Sequence, residues 1–220
     1  MQTIINILTY IIDIVFPKEC TGCHTRGTFL CANCLGEVPP ATKVEHSFIK
    51  AVFDYRNPVL KQAIWKFKYE HARELALIFA PYLYDEIIGT LGDTLDMRVS
   101  EKFLLVPIPL HAERFRERWY NQSALLVKEL LKLDSASLFE ESPEVLVRTR
   151  ATKPQAKSER RATRLANLKG AFVCDEAKRI RGRIVILIDD VTTTGATLVE
   201  AKHALSKGKP RKILAFTVAH

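Results

Sequence analysis

Apolar residues in this chain fall into short, β-branched runs that alternate with longer stretches of helical spacing. The runs are Ala51 to Tyr55, Phe103 to Pro107, Val145 to Arg148, Ile184 to Asp189 and Ile213 to Val218. Between them the periodicity predicts helices over Val59 to Tyr69, Arg73 to Ile88, Trp119 to Leu133 and Thr197 to Lys207. Such alternation predicts an α/β fold, a mainly parallel sheet flanked by helices on both faces. The 220 residues and 47% hydrophobic content suit one α/β domain with a small appendage. No repeat or low-complexity tract interrupts the pattern.

One run ends unusually. The strand-like Ile184 to Ile188 passes into two adjacent carboxylates and a threonine-rich turn, in the stretch ILIDDVTTTGAT. If the run is a buried parallel strand, Asp189 and Asp190 stand at its carboxyl end and the threonines lie where the next helix begins. In an open α/β sheet that junction is where ligands bind. Thr193, Thr194, Gly195, Ala196 and Thr197 offer backbone N–H groups and hydroxyls to a phosphate at a helix N-terminus, with Gly195 permitting the turn. Ionised Asp189 and Asp190 only accept hydrogen bonds, which suits a vicinal diol. A phosphate cradle beside a diol clamp describes a ribose 5-phosphate. Neither a P-loop nor a dinucleotide fingerprint occurs. The alternative is a pair of helix-capping carboxylates.

Charge sharpens the expectation. The net charge is +8, and Leu146 to Arg183 alone holds twelve Lys and Arg against three acids. A basic block this dense points to phosphate-bearing partners, either a small polyanion or nucleic acid, with a solvated basic surface as the alternative. Within it, Thr149 to Lys169 is too polar to bury a face and reads as a mobile loop followed by a basic helix.

Cys20, Cys23, Cys31 and Cys34 form a C-x2-C-x7-C-x2-C pattern, with Gly22 and Gly27 to supply tight turns. Two such knuckles present four thiolates to one tetrahedral ion, so the expectation is a structural Zn2+ site. A redox C-x-x-C needs only one pair, and His24 is an extra possible ligand. Cys174 reads as a small buried hydrophobe. Gly36 to Pro40 (GEVPP) reads as a linker, dividing a module of residues 1–40 from a domain of residues 41–220.

Met1 to Pro17 is apolar but lacks a basic leader and a cleavage signature, and is shorter than the ~20 residues a spanning helix needs. It reads as a mostly buried helix stopped by Pro17. No transmembrane segment is expected, and the expected location is cytoplasmic, with peripheral contact at the inner face of the membrane left open.

Ile184 to Leu198 resembles the phosphoribosyl-pyrophosphate (PRPP) signature of type I phosphoribosyltransferases. With LLVPIPLHAERFRERWYNQSALL (Leu104 to Leu126), the stretch Arg148 to Phe172 and the four-cysteine N-terminus, the chain resembles the ComF family of competence proteins, also called the amidophosphoribosyltransferase-like or GntX family. The resemblance implies a type I phosphoribosyltransferase-like domain carrying a small N-terminal zinc ribbon, with its PRPP motif at 184–198 and a flexible basic loop at about 149–169. It implies that Asp189 and Asp190 bind the ribose hydroxyls and that Thr193 to Thr197 bind the 5-phosphate. It implies further that Leu110 and His111 occupy the position of the pyrophosphate loop and that the basic loop closes over the pyrophosphate. Mg2+ arrives with PRPP, and Arg160 and Arg161, with His111, are the candidate catalytic groups.

The implied reaction displaces pyrophosphate from the anomeric carbon through an oxocarbenium-like state, by orientation and charge stabilisation. The family also implies a role in DNA uptake, with single-stranded DNA and a competence DNA translocase as candidate partners. The pattern departs from its relatives in two places. Purine salvage transferases carry an acid at the position of Thr193, and the chain lacks a glutaminase domain and an N-terminal nucleophilic cysteine, so glutamine amidotransferase activity is not expected. No residue specifies an acceptor, which leaves open a transferase in nucleotide metabolism or a non-catalytic binder of nucleotide or single-stranded DNA. Trp119 and Tyr120 read as core, and Arg114, Arg116 and Arg118 as either a solvated or a ligand-facing set.

Overall fold

The structure, a computed structural model, describes residues 18–42, 44–94, 101–149 and 170–220. The expected N-terminal helix, the basic loop and helix after Thr149, and both Arg160 and Arg161 lie outside the described residues. Five strands form one parallel sheet in the order β1-β7-β6-β2-β3. They are β1 (Ile49–Phe53), β2 (Phe103–Pro107), β3 (Phe139–Glu141), β6 (Ile184–Val191) and β7 (Lys212–Ala219).

The central strand β6 explains why its sequence is apolar without alternation. Ile184, Ile186 and Ile188 face one core, while Val185 and Leu187 face the other. A parallel strand covered on both sides reads as a continuous hydrophobic run. The first core is covered by α1 (Ala32–Gly36), α2 (Pro58–Tyr69), α3 (Leu75–Thr94) and α5 (Gln122–Leu133). The second lies under α6 (Ala177–Ile180), α7 (Ala196–Ser206) and a separate antiparallel hairpin of β4 (Leu146–Arg148) and β5 (Phe172–Cys174). Cys174 is half-buried against this second core.

The mainly parallel, helix-flanked sheet is the architecture expected, with corrections in detail. Val145 to Arg148 does not join the main sheet. Its partner, only three residues long, carries too little pattern to be read, and together they form the base from which the basic segment departs. A helix, α4 (Ala112–Arg118), was also not expected, because interleaved charges hide its period. Trp119 is not core. It caps α4 in the left-handed conformation (φ 61°), which turns its ring outward to 71% exposure, while Tyr120 is buried as expected.

The cysteine segment does not stand apart from the first core. Leu30, Leu35 and Cys20 are buried in it, and the Thr21 hydroxyl donates to the Val59 carbonyl on α2. The GEVPP segment is tied to the edge strand, since Ala41 N–H donates to Val52 O and Asp54 N–H to Pro39 O. Helix α3 is long and apolar enough, by composition over Leu75–Gly92, to match a membrane span. Its Leu75, Phe79, Leu83, Ile87 and Leu91 are all fully buried in the first core, which accounts for the composition.

Candidate functional site

The carboxylate pair sits where expected, at the carboxyl end of β6. The strand itself runs two residues past Asp189, to Val191. Asp189 Oδ1 accepts from the Ser123 hydroxyl (3.0 Å) and from Asp190 N–H (2.9 Å). Asp190 is buried and faces Lys68 of α2, whose Nζ lies 3.0 Å from its Oδ1. The cation is therefore shared across two elements far apart in sequence. Burial, then the neighbouring Asp190 charge, push the Asp189 carboxyl up to about 7, with Lys68 and the two hydrogen bonds pulling the other way. A carboxyl poised there exchanges its proton with solvent near neutrality, and an arriving hydrogen-bond donor or cation favours its ionised form.

The threonine turn follows directly. Thr192 is pinned by its N–H to Ala219 O, leaving Thr193 exposed and Thr194 half-buried. The Thr194 hydroxyl accepts from Ala196 N–H (3.4 Å), and Gly195 caps α7 at φ 74°. A Cβ on Gly195 would lie 2.8 Å from the His46 ring and 3.0 Å from Ile49, so space and backbone conformation both demand glycine here. The first turn of α7, with its inherent free N–H groups, opens beside Thr197.

Loop 108–111 lies beside this turn because β2 pairs with β6. Ile108 N–H donates to Ile188 O, and Asn121 holds the Ile108 carbonyl while capping α5. Leu110 and His111 are half-buried in that loop. His111 Nδ1 accepts from Glu113 N–H as the N-cap of α4, so one ring nitrogen has a structural task and Nε2 is the other available face.

Four contributors come from outside the motif: Lys68, Ser123, Asn121 and Arg148. Arg148 closes β4 with its guanidinium 5.4 Å from the Phe172 ring. Burial and the nearby Arg114 cation lower its pKa, while Asp189, within electrostatic reach, raises it. Arg118 is buried, donating to Gln122 and to the Tyr69 hydroxyl, while Arg116 is exposed and Arg114 half-buried. The expected set of three arginines thus has three different environments.

The four cysteines come together, their Sγ atoms all within 4.8 Å of one another. Cys20 and Cys23 each lie 3.6 Å from Cys31 Sγ. Thiolates around one tetrahedral zinc sit roughly 3.8 Å apart, given ~2.3 Å Zn–S bonds, whereas a disulfide needs about 2.05 Å. Backbone N–H groups of Gly22 and Cys31 point at Cys20 Sγ, and that of Cys34 at Cys31 Sγ. A Cβ on Gly22 would fall 2.6 Å from Cys34 Sγ. The Thr25 hydroxyl, above all, lowers Cys23 to about 6, while Cys34, beside the Cys31 thiol, is raised to about 12. The donor set fits a soft metal ion such as zinc. His24 is exposed and stands outside the cluster.

No family model matches the chain. Over 193 residues it is 30% identical to the DNA utilization protein YhgH of Escherichia coli (strain K12), an alignment covering 88% of this chain and 78% of that protein. The competence protein ComFC of Bacillus subtilis (strain 168) is 31% identical over 171 residues, 77% of this chain and 62% of that protein. ComFC of Streptococcus pneumoniae (strain ATCC BAA-255 / R6) is 27% identical over 202 residues, 91% of this chain and 80% of that protein. Among solved structures, the chain is similar to the hypoxanthine phosphoribosyltransferase of Trypanosoma cruzi, with a TM-score of 0.40 and 14% identity over 66% of this chain and 64% of that one. That likeness is too slight to bear on ligand or activity. The sequence likeness over most of both chains is not, and by it this protein belongs to the ComF family, with YhgH and ComFC.

Proposed function

We propose that this protein is a phosphoribosyltransferase-like PRPP binder acting in DNA uptake or nucleotide metabolism. The observation that carries the reading is the carboxylate pair at the end of β6 followed at once by the Thr-Gly turn at the start of α7. Asp189 and Asp190 bind the ribose hydroxyls, and Thr193, Thr194, Gly195, Ala196 and Thr197 receive the 5-phosphate on hydroxyls and N–H groups. Leu110 and His111 border the pyrophosphate, Arg148 adds a positive charge from the hairpin, and Arg160 and Arg161 are the candidate groups for stabilising the charge of the leaving diphosphate. A Mg2+ ion enters with PRPP, held by diphosphate and ribose oxygens, and neutralises the leaving group. Residues 1–40 act as a module that holds a structural zinc ion, and residues 41–220 as the PRPP-binding domain.

A second reading is a non-catalytic component that handles single-stranded DNA. It is favoured by a set of exposed rings on α2 and α4: Trp65 (51%), Tyr69 (48%), Phe115 (50%) and Trp119 (71%). Arg118 packs 4.9 Å from the Tyr69 ring and links the two helices. Ring faces beside cations are the chemistry that holds unpaired bases. The names of the relatives, DNA utilization and competence, are compatible with both readings.

Pyrophosphate release from PRPP with nucleobase, amine and oligonucleotide acceptors separates the two. Release above the solvent background identifies a transferase. Saturable PRPP binding without release, together with oligonucleotide binding that Trp65→Ala/Trp119→Ala weakens at least tenfold, identifies the non-catalytic component.

A further inference from the structure

A second hollow lies at the other end of the sheet. It has a volume of about 630 Å³ and opens where α7 passes the amino end of β7. Its wall includes Lys50, Lys202, Arg211 and Lys212, and no Asp or Glu. None of these four cations forms an ion pair with a described carboxylate, whereas Lys18, Lys66, Lys132, Arg179 and Arg183 all do. Lys202 is half-buried and rests 4.1 Å from the Phe48 ring centroid, which fixes its ammonium over the hollow's apolar side. A smaller hollow of about 540 Å³ shares Ser47, Phe48, Lys202 and Ser206 with the first, and its wall adds His46 and one acid, Glu45.

The larger hollow stands apart from the carboxylate pair. Lys212 pairs with Ile184 at the start of β6, and Asp189 stands five residues further along that strand, roughly 17 Å away at the usual rise. Four positive groups around one concavity repel each other, and low-dielectric walls concentrate their field outward. The arrangement is unfavourable alone and becomes favourable when an anion of several charges occupies it. Its volume falls within the range of small-molecule pockets, ~300–1,000 Å³. Its one lining ring, Phe48, has Lys202 over one face, which leaves at most the other for a base.

We propose that this hollow is a second anion site, which binds a small ligand carrying two or more linked phosphates. The site stands on Lys50, Lys202, Arg211 and Lys212, and does not depend on what occupies the β6 carboxylates.

Titration of inorganic triphosphate into the full chain, followed by calorimetry, tests it. The expected result is saturable binding that Lys202→Gln/Lys212→Gln weakens at least tenfold, while the charge-keeping Lys202→Arg/Lys212→Arg stays within threefold of the wild type. Thermal melting checks that each variant is folded, and the exposed Arg211→Gln replaces the double variant if that one melts early. Undiminished triphosphate binding by the Gln variants overturns the proposal, as does an absence of saturable binding to the wild type. Binding of a single-stranded oligonucleotide at these lysines in place of triphosphate also overturns it, in favour of a strand-binding groove.

Discussion

At the scale of residues, Asp189 links the site to the stability of the whole chain. Its carboxyl is raised from the ordinary value near 4 in an unfolded chain to about 7 by burial and by Asp190. A raised carboxyl contributes stability that is fully present below about pH 4 and is lost as pH rises through about 7. Asn in its place accepts the same bonds from Ser123 and Asp190 but never ionises. Asp189→Asn is expected to melt higher than the wild type at pH 8, with the gap closing towards pH 4. Melting curves across that window check it, and a gap that is flat with pH contradicts the burial argument. Gly195→Ala meets both the left-handed backbone cost, about 1–2 kcal/mol, and the His46 ring. The expected outcome is a lower melting temperature and weaker binding of phosphorylated ribose, whereas wild-type behaviour in both would show that the turn relaxes freely.

The residues of the β6 motif were legible because they are contiguous: an apolar run, two acids and a Thr-Gly turn state their own geometry. Lys68, Ser123, Arg148 and His46 were not legible as partners of that motif. They come from four other segments, and only the strand order β7-β6-β2 and the packing of α2 and α5 bring them to it. Nothing local in NQSALL distinguishes a serine that donates to Asp189 from one that merely opens a helix.

At the scale of elements, the strands with continuous apolar runs were readable from pattern alone, since β2, β6 and β7 are covered on both faces. The three-residue β3 and β5 and the charged α4 were not, because each is too short or too polar to show a period. The cysteine module was legible through its spacing, but its attachment was not. Leu30 and Leu35 project into the first core, and Thr21 and Gly22 meet Val59 of α2. Loss of the metal should therefore loosen α2, which carries Lys68 to the carboxylate pair. Cys31→Ser is expected to lose bound zinc, lower the melting temperature by roughly 5–10 °C and reduce solubility. Metal analysis and melting check this together. A soluble, metal-free variant that melts with the wild type would contradict a structural role for the site.

At the scale of the whole molecule, the parallel sheet places its two ends in different electrostatic settings. The carboxyl ends of β6 and β2 meet at a carboxylate pair, a phosphate-sized turn and Arg148, which closes the hairpin leading into the basic segment. The amino end of β7 meets a cluster of lysine and arginine that forms no ion pair with a described carboxylate. Among the described residues, Lys68 and Arg148 belong to the first end, and Lys50, Lys202, Arg211 and Lys212 to the second. PRPP binding at the β6 end, as proposed, is decided by calorimetric titration of PRPP with Mg2+ into the wild type and into Asp189→Asn/Asp190→Asn. Saturable one-site binding to the wild type is expected, weakened a hundredfold or more in the folded double variant. Equal binding by the two proteins, or none by the folded wild type, would contradict it.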